Sequence, residues 1–349
     1  MVISVIVPVY NIEKKKRVFE ASIESVLKQS YRDFELIIVN DGSMDKTEVI
    51  LRELEKKDKR IRIVIKENGG VESSRRAGIN MAQGDFILHM DQDDRYREDA
   101  FELFIHKMKE TNADVVVANH IRFIFNPFFS FGKCNAASMQ RERIIDHESF
   151  MDQYYVSFFG MNDLPVNIWN KMYRKEFLDS IPTPPKTGHI IEDLSYNMHV
   201  LPYAKRIAVI PDVLYYYRWG GFTNRYDKSV LETALIGYKL KMSQIDKYGL
   251  LSFKAYTAVE LLNYLNTYFY QIVEYDVFDK DGFVTEFKKV MSLPEVKEGM
   301  GIVRAYDRYH YEFADAFLNS DYERLYAYEL MIKKNNRGKI FAKKLLLNI

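Results

Sequence analysis

Over residues 1–94, short β-branched runs take turns with amphipathic stretches: Val2–Val9, Val18–Leu27, Phe34–Val39, Val49–Leu54, Ile61–Ile65, Ala77–Ala82 and Phe86–Met90. A brief Val/Ile run is a strand buried on both faces, and a helix-period stretch between two such runs is the crossover that parallel strands require. The pattern therefore specifies an α/β fold built on parallel strands with crossover helices. Ligands in such sheets bind beyond the carboxyl ends of the strands.

The residues that follow each run share that rim. They are Pro8, Tyr10, Asn11 and Glu13 after the first run, then Asn40, Asp41, Gly42 and Ser43 after the second. Glu67, Asn68, Gly69 and Gly70 follow the third, and Asp91-Gln92-Asp93-Asp94 the fourth. Any one group could be an ordinary turn, because Asn, Asp, Gly and Ser punctuate all loops. Four groups on one rim argue for a ligand. The last group is the most telling, because carboxylates this close repel one another unless a divalent cation carrying phosphate sits among them.

Ser4-Val-Ile-Val-Pro8-Val-Tyr10-Asn11, Ile38-Val-Asn-Asp41-Gly42-Ser43-Met-Asp45, Glu67-Asn68-Gly69-Gly70 with Arg75-Arg76-Ala-Gly78, and Gly84-Asp-Phe-Ile-Leu-His-Met-Asp91-Gln-Asp93-Asp94 resemble, in order, the motifs of family-2 glycosyltransferases, inverting enzymes of the GT-A fold. Trp169-Asn-Lys171-Met-Tyr173 and Glu192-Asp193 are similar to acceptor-side motifs of bacterial members. Beyond about residue 225 no resemblance is carried. The resemblance implies a GT-A (Rossmann-like) mixed sheet flanked by helices, with a mainly helical C-terminal module. Residues 1–225 would be the catalytic domain, with a nucleotide-sugar half (1–120) and an acceptor-side half (121–225), and residues 226–349 the helical module.

It also implies roles. Asp41 would accept the imide hydrogen of uracil between Pro8 and Tyr10, in the loop that carries Asn11. Asn68 and Arg76 would reach the base or diphosphate, where a planar guanidinium suits phosphate oxygens. Asp91 would approach the ribose beside Gln92, which stands where the family often has a small residue. Asp93 would ligate Mn2+ or Mg2+, hard cations that favour oxygen, and Asp94 would shape the loop. Arg218, ending Tyr215-Tyr-Tyr-Arg218-Trp219-Gly-Gly221, would bind phosphate. An inverting transfer needs a base opposite the leaving group. Asp193 fills that role, with Glu192 orienting it or binding the acceptor, although acids at a helix start also serve as caps.

Composition sets outer limits. A chain of 349 residues exceeds one ordinary domain. Cys134 is the single cysteine; it cannot form an intrachain disulfide and suits a reducing, cytoplasmic setting. His189 and His199 near the acidic pair read as structural. A net charge of +1 argues against general nucleic-acid binding. Lys14 to Arg17 read as a solvated helix start, and the aromatic stretch Phe123–Phe131 as core. Residues 333–349 carry Lys333, Lys334, Arg337, Lys339, Lys343 and Lys344 with no acid, interleaved with Leu, Ile and Phe. They form either a basic amphipathic helix resting on the inner face of an anionic plasma membrane or a tail packed on its own domain. The Tyr/Phe-rich helices before it could also pair subunits.

The resulting expectation is a metal-dependent transferase moving a sugar from a UDP-sugar to a hydroxyl of a growing glycan: cell-surface polysaccharide, lipid-linked or teichoic-type. A sugar-nucleotide pyrophosphorylase would want a Gly-rich, basic loop after the first strand, where this chain has Pro8-Val-Tyr-Asn-Ile-Glu13. A non-catalytic nucleotide-sugar-binding scaffold is the other alternative.

Overall fold

The computed structural model describes residues 1–124, 130–132, 136–161, 163–187, 191–219, 227–306 and 312–347, with backbone alone for residues 137 and 337–347. It divides into two compact units, Met1–Phe158 with Asn162–Trp219, and Phe159–Met161 with Gly220–Ile349.

The first unit begins with the alternation read from the sequence: β1 (Ile3–Val9), α1 (Lys16–Leu27), β2 (Phe34–Asp41), α2 (Thr47–Lys57), β3 (Ile61–Lys66), α3 (Gly70–Met81) and β4 (Phe86–His89). β1 pairs in parallel with both β2 and β4, and β2 with β3. Every residue of β1 and β2 is buried, as unbroken Val/Ile runs require when helices cover both faces. α3 packs on β1 very closely, since a Cβ on Gly78 would stand 2.4 Å from Ile6 Cγ2. Parallel pairing places the ends of β1 to β4 on one rim.

Beyond β4 the sheet becomes mixed. β5 (Arg95–Tyr96), α4 (Ala100–Thr111), β6 (Val115–Phe123), β7 (Ser130–Phe131), β8 (Arg143–Asp146) and the one-turn α5 (His147–Ser149) come next, then β9 (Lys171–Arg174), α6 (Lys175–Ser180), α7 (Glu192–Val200) and β10 (Arg206–Arg218). The strand order is β3-β2-β1-β4-β9-β6-β10-β5, with β7 on β6 and β8 on β10. β9 runs antiparallel between β4 and β6. The register of β10 against β6 shifts between Ile210 and Tyr215. On its other edge β10 meets β8 with Arg206–Val209 and β5 with Tyr215 and Tyr216. That irregularity bends the strand and carries its end to the carboxylate loop.

The second unit is helical: α8 (Val230–Tyr248), α9 (Lys254–Glu274), α10 (Lys280–Ser292), α11 (Pro294–Tyr306), α12 (Glu312–Leu318) and α13 (Tyr322–Leu347). Val259, Leu262, Leu265, Phe269 and Ile272 on α9 are buried as their spacing predicts, whereas Tyr264 is exposed. The Phe269 ring lies 5.3, 5.6 and 5.9 Å from those of Phe283, Phe287 and Phe317. Gly249, at φ 69°, ends α8. Among the described residues no helix is long and apolar enough to cross a membrane.

In the stretch expected to be core, Phe123 is buried and Phe131 exposed; residues 125–129 lie outside the described residues, as do Cys134, His189 and Gly221. His199 Nδ1 sits 2.7 Å from the Ser195 carbonyl one turn earlier, a structural contact. Of the basic tail, Lys333 is tied internally: its Nζ bonds the Val273 carbonyl at 2.8 Å and Asp276 at 2.6 Å. The side chains from residue 337 onward lie outside the described residues.

Candidate active site

Two groups of side chains gather beyond the ends of the parallel strands. The first surrounds Asp41, the last residue of β2. Lys66 Nζ lies 2.6 Å from its carboxylate, and the backbone N–H groups of Gly69 and Gly70 donate to it at 3.0 and 2.8 Å. Burial works to raise its pKa, but these donors together pull it below the usual carboxylate range. Asn68 Nδ2 donates to the Asp41 carbonyl at 2.9 Å. Gly42 is obligatory here: its φ is +68°, and a Cβ would stand 2.6 Å from the Asn68 nitrogen. Asn11, at φ 49°, stitches the β1 and β2 loops together. Its N–H donates to Ser43 Oγ and its Oδ1 accepts from the Met44 N–H, both at 3.0 Å. Of the two residues expected to flank a base, Tyr10 is exposed, while Pro8 is buried inside β1 opposite Val39.

The second group is the carboxylate loop after β4. Gln92 Oε1 accepts from the Tyr10 N–H at 3.0 Å, joining this loop to the first. Asp94 is buried; it accepts from the Tyr215 hydroxyl and the Arg218 N–H, both at 2.7 Å. Its pKa is pushed well up by burial and then by the nearby Asp91 and Asp93. Asp94 thus ties the loop to the end of β10. Asp93 is the freer carboxylate, with Arg218 Nη1 3.8 Å away.

Arg75 joins this loop to α7. Its guanidinium, 7% exposed, lies 2.8 Å from Asp91 and 2.5 Å from Asp193, with Glu192 at 3.8 Å. These three anions hold it protonated despite burial. Asp193 Oδ2 also accepts from the Ile168 N–H at 3.2 Å. Glu192 behaves differently: burial, then the adjacent Asp193 charge, pushes it up to about 7. Glu192 lines a cavity of about 260 Å3 with Arg75, Arg76, Ile168, Pro184 and Tyr196.

Arg76 is not brought to Asp41 or the carboxylate loop. It pairs with Glu72 at 3.0 Å and donates to the Pro184 carbonyl at 2.8 Å. Arg75, Lys66 and Tyr215 were the residues missed by sequence reasoning. A signal for Arg75 existed: it stands three residues before Gly78 on the buried face of α3 with Ser74, and a charge on a core-facing stripe demands partners.

Residues 4–181 match the family described as glycosyl transferase family 2. The chain belongs to glycosyl transferase family 2. The glycosyltransferase GlyA of Streptococcus pneumoniae is 28% identical over 216 residues, which are 62% of this chain and 30% of GlyA. The putative glycosyltransferase EpsH of Bacillus subtilis is 28% identical over 243 residues, 68% of this chain and 67% of EpsH. The chain therefore spans under a third of GlyA and about two thirds of EpsH. The crystal structure of Staphylococcus aureus TarS 1-349 in complex with UDP-GlcNAc superposes with a TM-score of 0.64 at 18% identity, covering 96% of this chain and 92% of that one. The fold is GT-A. The pyrophosphorylase alternative falls with that family assignment.

Proposed function

We propose that this enzyme transfers a sugar from a UDP-sugar, with the help of Mg2+ or Mn2+, to a hydroxyl of a growing glycan. The observation that carries this reading is the convergence of the carboxylate loop and the Glu192–Asp193 pair on one buried guanidinium, Arg75. Asp41, Asn68 and exposed Tyr10 offer a uridine site at the ends of β1 and β2, and the crystallised TarS complex with UDP makes UDP the first nucleotide to try.

The donor set suits a hard cation. The carboxyl groups of Asp91, Asp93, Asp94, Glu192 and Asp193 gather around two guanidinium groups, Arg75 and Arg218. Burial and then repulsion push Asp94 and Glu192 up, and a bound cation would relieve that repulsion. Among the described residues no three His, Cys or acidic side chains form a ready cage. Asp93 would therefore hold the ion, with diphosphate oxygens and water completing the shell, as Mg2+ commonly accepts. The ion, when bound, neutralises the departing nucleoside diphosphate. Arg218 adds a cation beside Asp93, and Asp91 faces the ribose.

Partners and surroundings distinguish the two acids: Asp193 is held by Arg75 and the Ile168 N–H, whereas Glu192 lines the cavity. Asp193, ion-paired to Arg75, is the base that takes the acceptor proton. Glu192, partly neutral near pH 7, donates a hydrogen bond that orients a sugar hydroxyl at the cavity. The acceptor is a cell-surface, lipid-linked or teichoic-type glycan, with the basic end of α13 as a membrane-facing element. The test is UDP release by purified protein from a panel of UDP-sugars, with and without Mn2+. Asp93→Asn should abolish the metal-stimulated part with the fold intact. Full Mn2+-stimulated turnover in that variant would remove Asp93 as the ligand.

A further inference from the structure

Tyr215 lies near the end of β10, far along the chain from the carboxylate loop, yet its hydroxyl is the hub of that loop. It accepts from the Asp91 N–H at 3.2 Å and donates to Asp94 Oδ2 at 2.7 Å. Three residues on, the Arg218 N–H donates to Asp94 Oδ1 at 2.7 Å, so both oxygens of one buried carboxylate are held by the same strand. The Ser22 hydroxyl bonds the Asp94 carbonyl from α1.

The ring of Tyr215 is itself immobilised. It is fully buried, stacks on Trp169 at 4.4 Å, and meets the Tyr96 ring edge-on at 4.9 Å. The Tyr96 hydroxyl in turn lies 2.8 Å from the His89 carbonyl and 3.0 Å from that of Trp169. The hydroxyl therefore sits at a fixed point, and the carboxylate loop is hung from it.

We infer that Tyr215 is a positioning residue for the metal–diphosphate site. Through Asp94 it sets the separation of Asp93 from Arg218, now 3.8 Å, and through the Asp91 N–H it sets the loop's height above β4. This rests on the reading of Asp93 as the metal ligand. Residues that orient a ligand without touching the ion typically change metal affinity about 10- to 100-fold when altered. A residue that only fills the core would weaken UDP binding equally with and without the ion, or not at all.

The experiment is calorimetric titration of the full chain with UDP, in Mn2+ and in EDTA. The quantity read is the gain in affinity that Mn2+ confers. Wild type should show a clear gain. Tyr215→Phe keeps the stack and loses the hydroxyl; its gain should fall by about tenfold or more, with binding in EDTA nearly unchanged. Asp94→Asn, which cannot satisfy both donors, should behave alike and serves if Tyr215→Phe fails to fold. Tyr96→Phe removes an equally buried hydroxyl that bonds only carbonyls, and should retain the wild-type gain. A full gain in Tyr215→Phe, or an equal loss in Tyr96→Phe, overturns the inference while leaving Asp93 in place. A wild-type protein that binds UDP alike with and without Mn2+ removes the metal reading itself, and this inference with it.

Discussion

A buried guanidinium among three carboxylates is held by geometry as much as by charge. Arg75 reaches Asp91 with one amino group and Asp193 and Glu192 with the other. A lysine would keep the charge and lose that fork, so Arg75→Lys should lower turnover by about two orders of magnitude, measured as kcat for UDP release. The neighbouring acid gives a pH signature. Glu192 titrates at about 7, so it is neutral below that pH and charged above it. With its neutral form orienting the substrate, turnover should decline as pH rises past 7. Glu192→Gln, neutral at every pH, should remain active and lose that decline, while Asp193→Asn should drop kcat by about two to four decades. A pH–rate profile separates this from the reverse assignment, in which turnover falls below pH 7 and Glu192→Gln is dead.

At the scale of elements, one ion pair on α3 fixes the segment leading to the acidic pair. Arg76 holds the Pro184 carbonyl, and Glu72 Oε2 accepts from the Thr187 N–H at 2.9 Å. Glu72→Ala removes the acceptor of that N–H, and a half-buried charge-assisted bond is worth about 1.5 kcal/mol. Amide exchange at Thr187 should therefore accelerate by about tenfold, with strand amides of β1 and β2 unaffected. On α13, Glu329 is buried, and its Oε1 has no hydrogen-bond partner among the described residues. Burial pushes this carboxyl up to about 8 from an ordinary value of 4.5. The folded state then binds a proton that the unfolded state has lost between these values, so stability falls as pH rises from 4.5 toward 8. Glu329→Gln should flatten that slope and stabilise the protein at pH 8 by on the order of 3 kcal/mol, read from urea unfolding at several pH values.

For the molecule as a whole, the near-balance of 50 basic and 49 acidic residues conceals a basic end. Lys333 is tied to Asp276; the basic residues that follow it in sequence, Lys334, Arg337, Lys339, Lys343 and Lys344, would each contribute about 1 kcal/mol near an anionic surface. Removing residues 337–349 should weaken co-sedimentation with anionic vesicles and spare UDP release; equal sedimentation of both proteins would leave the tail without a membrane role. The parallel half of the sheet was legible because β1 to β4 are continuous Val/Ile runs with a helix period between them, a pattern that follows from burial alone. The same alternation placed Asp41, Asn68, Asp91 and Asp93 on one rim, because parallel pairing leaves no other arrangement. What the sequence only hinted at, through the three-residue spacing of Arg75 and Gly78, was which of two adjacent arginines turns inward. That depended on the close approach of Gly78 to Ile6, which puts Arg75 over the carboxylates and leaves Arg76 to the 181–187 segment. The sequence could not decide that a tyrosine 121 residues from Asp94 would hold that loop, since a bend in β10 has no periodic signature. Local pattern is written by what must be buried; which distant side chains meet is settled only when the elements pack.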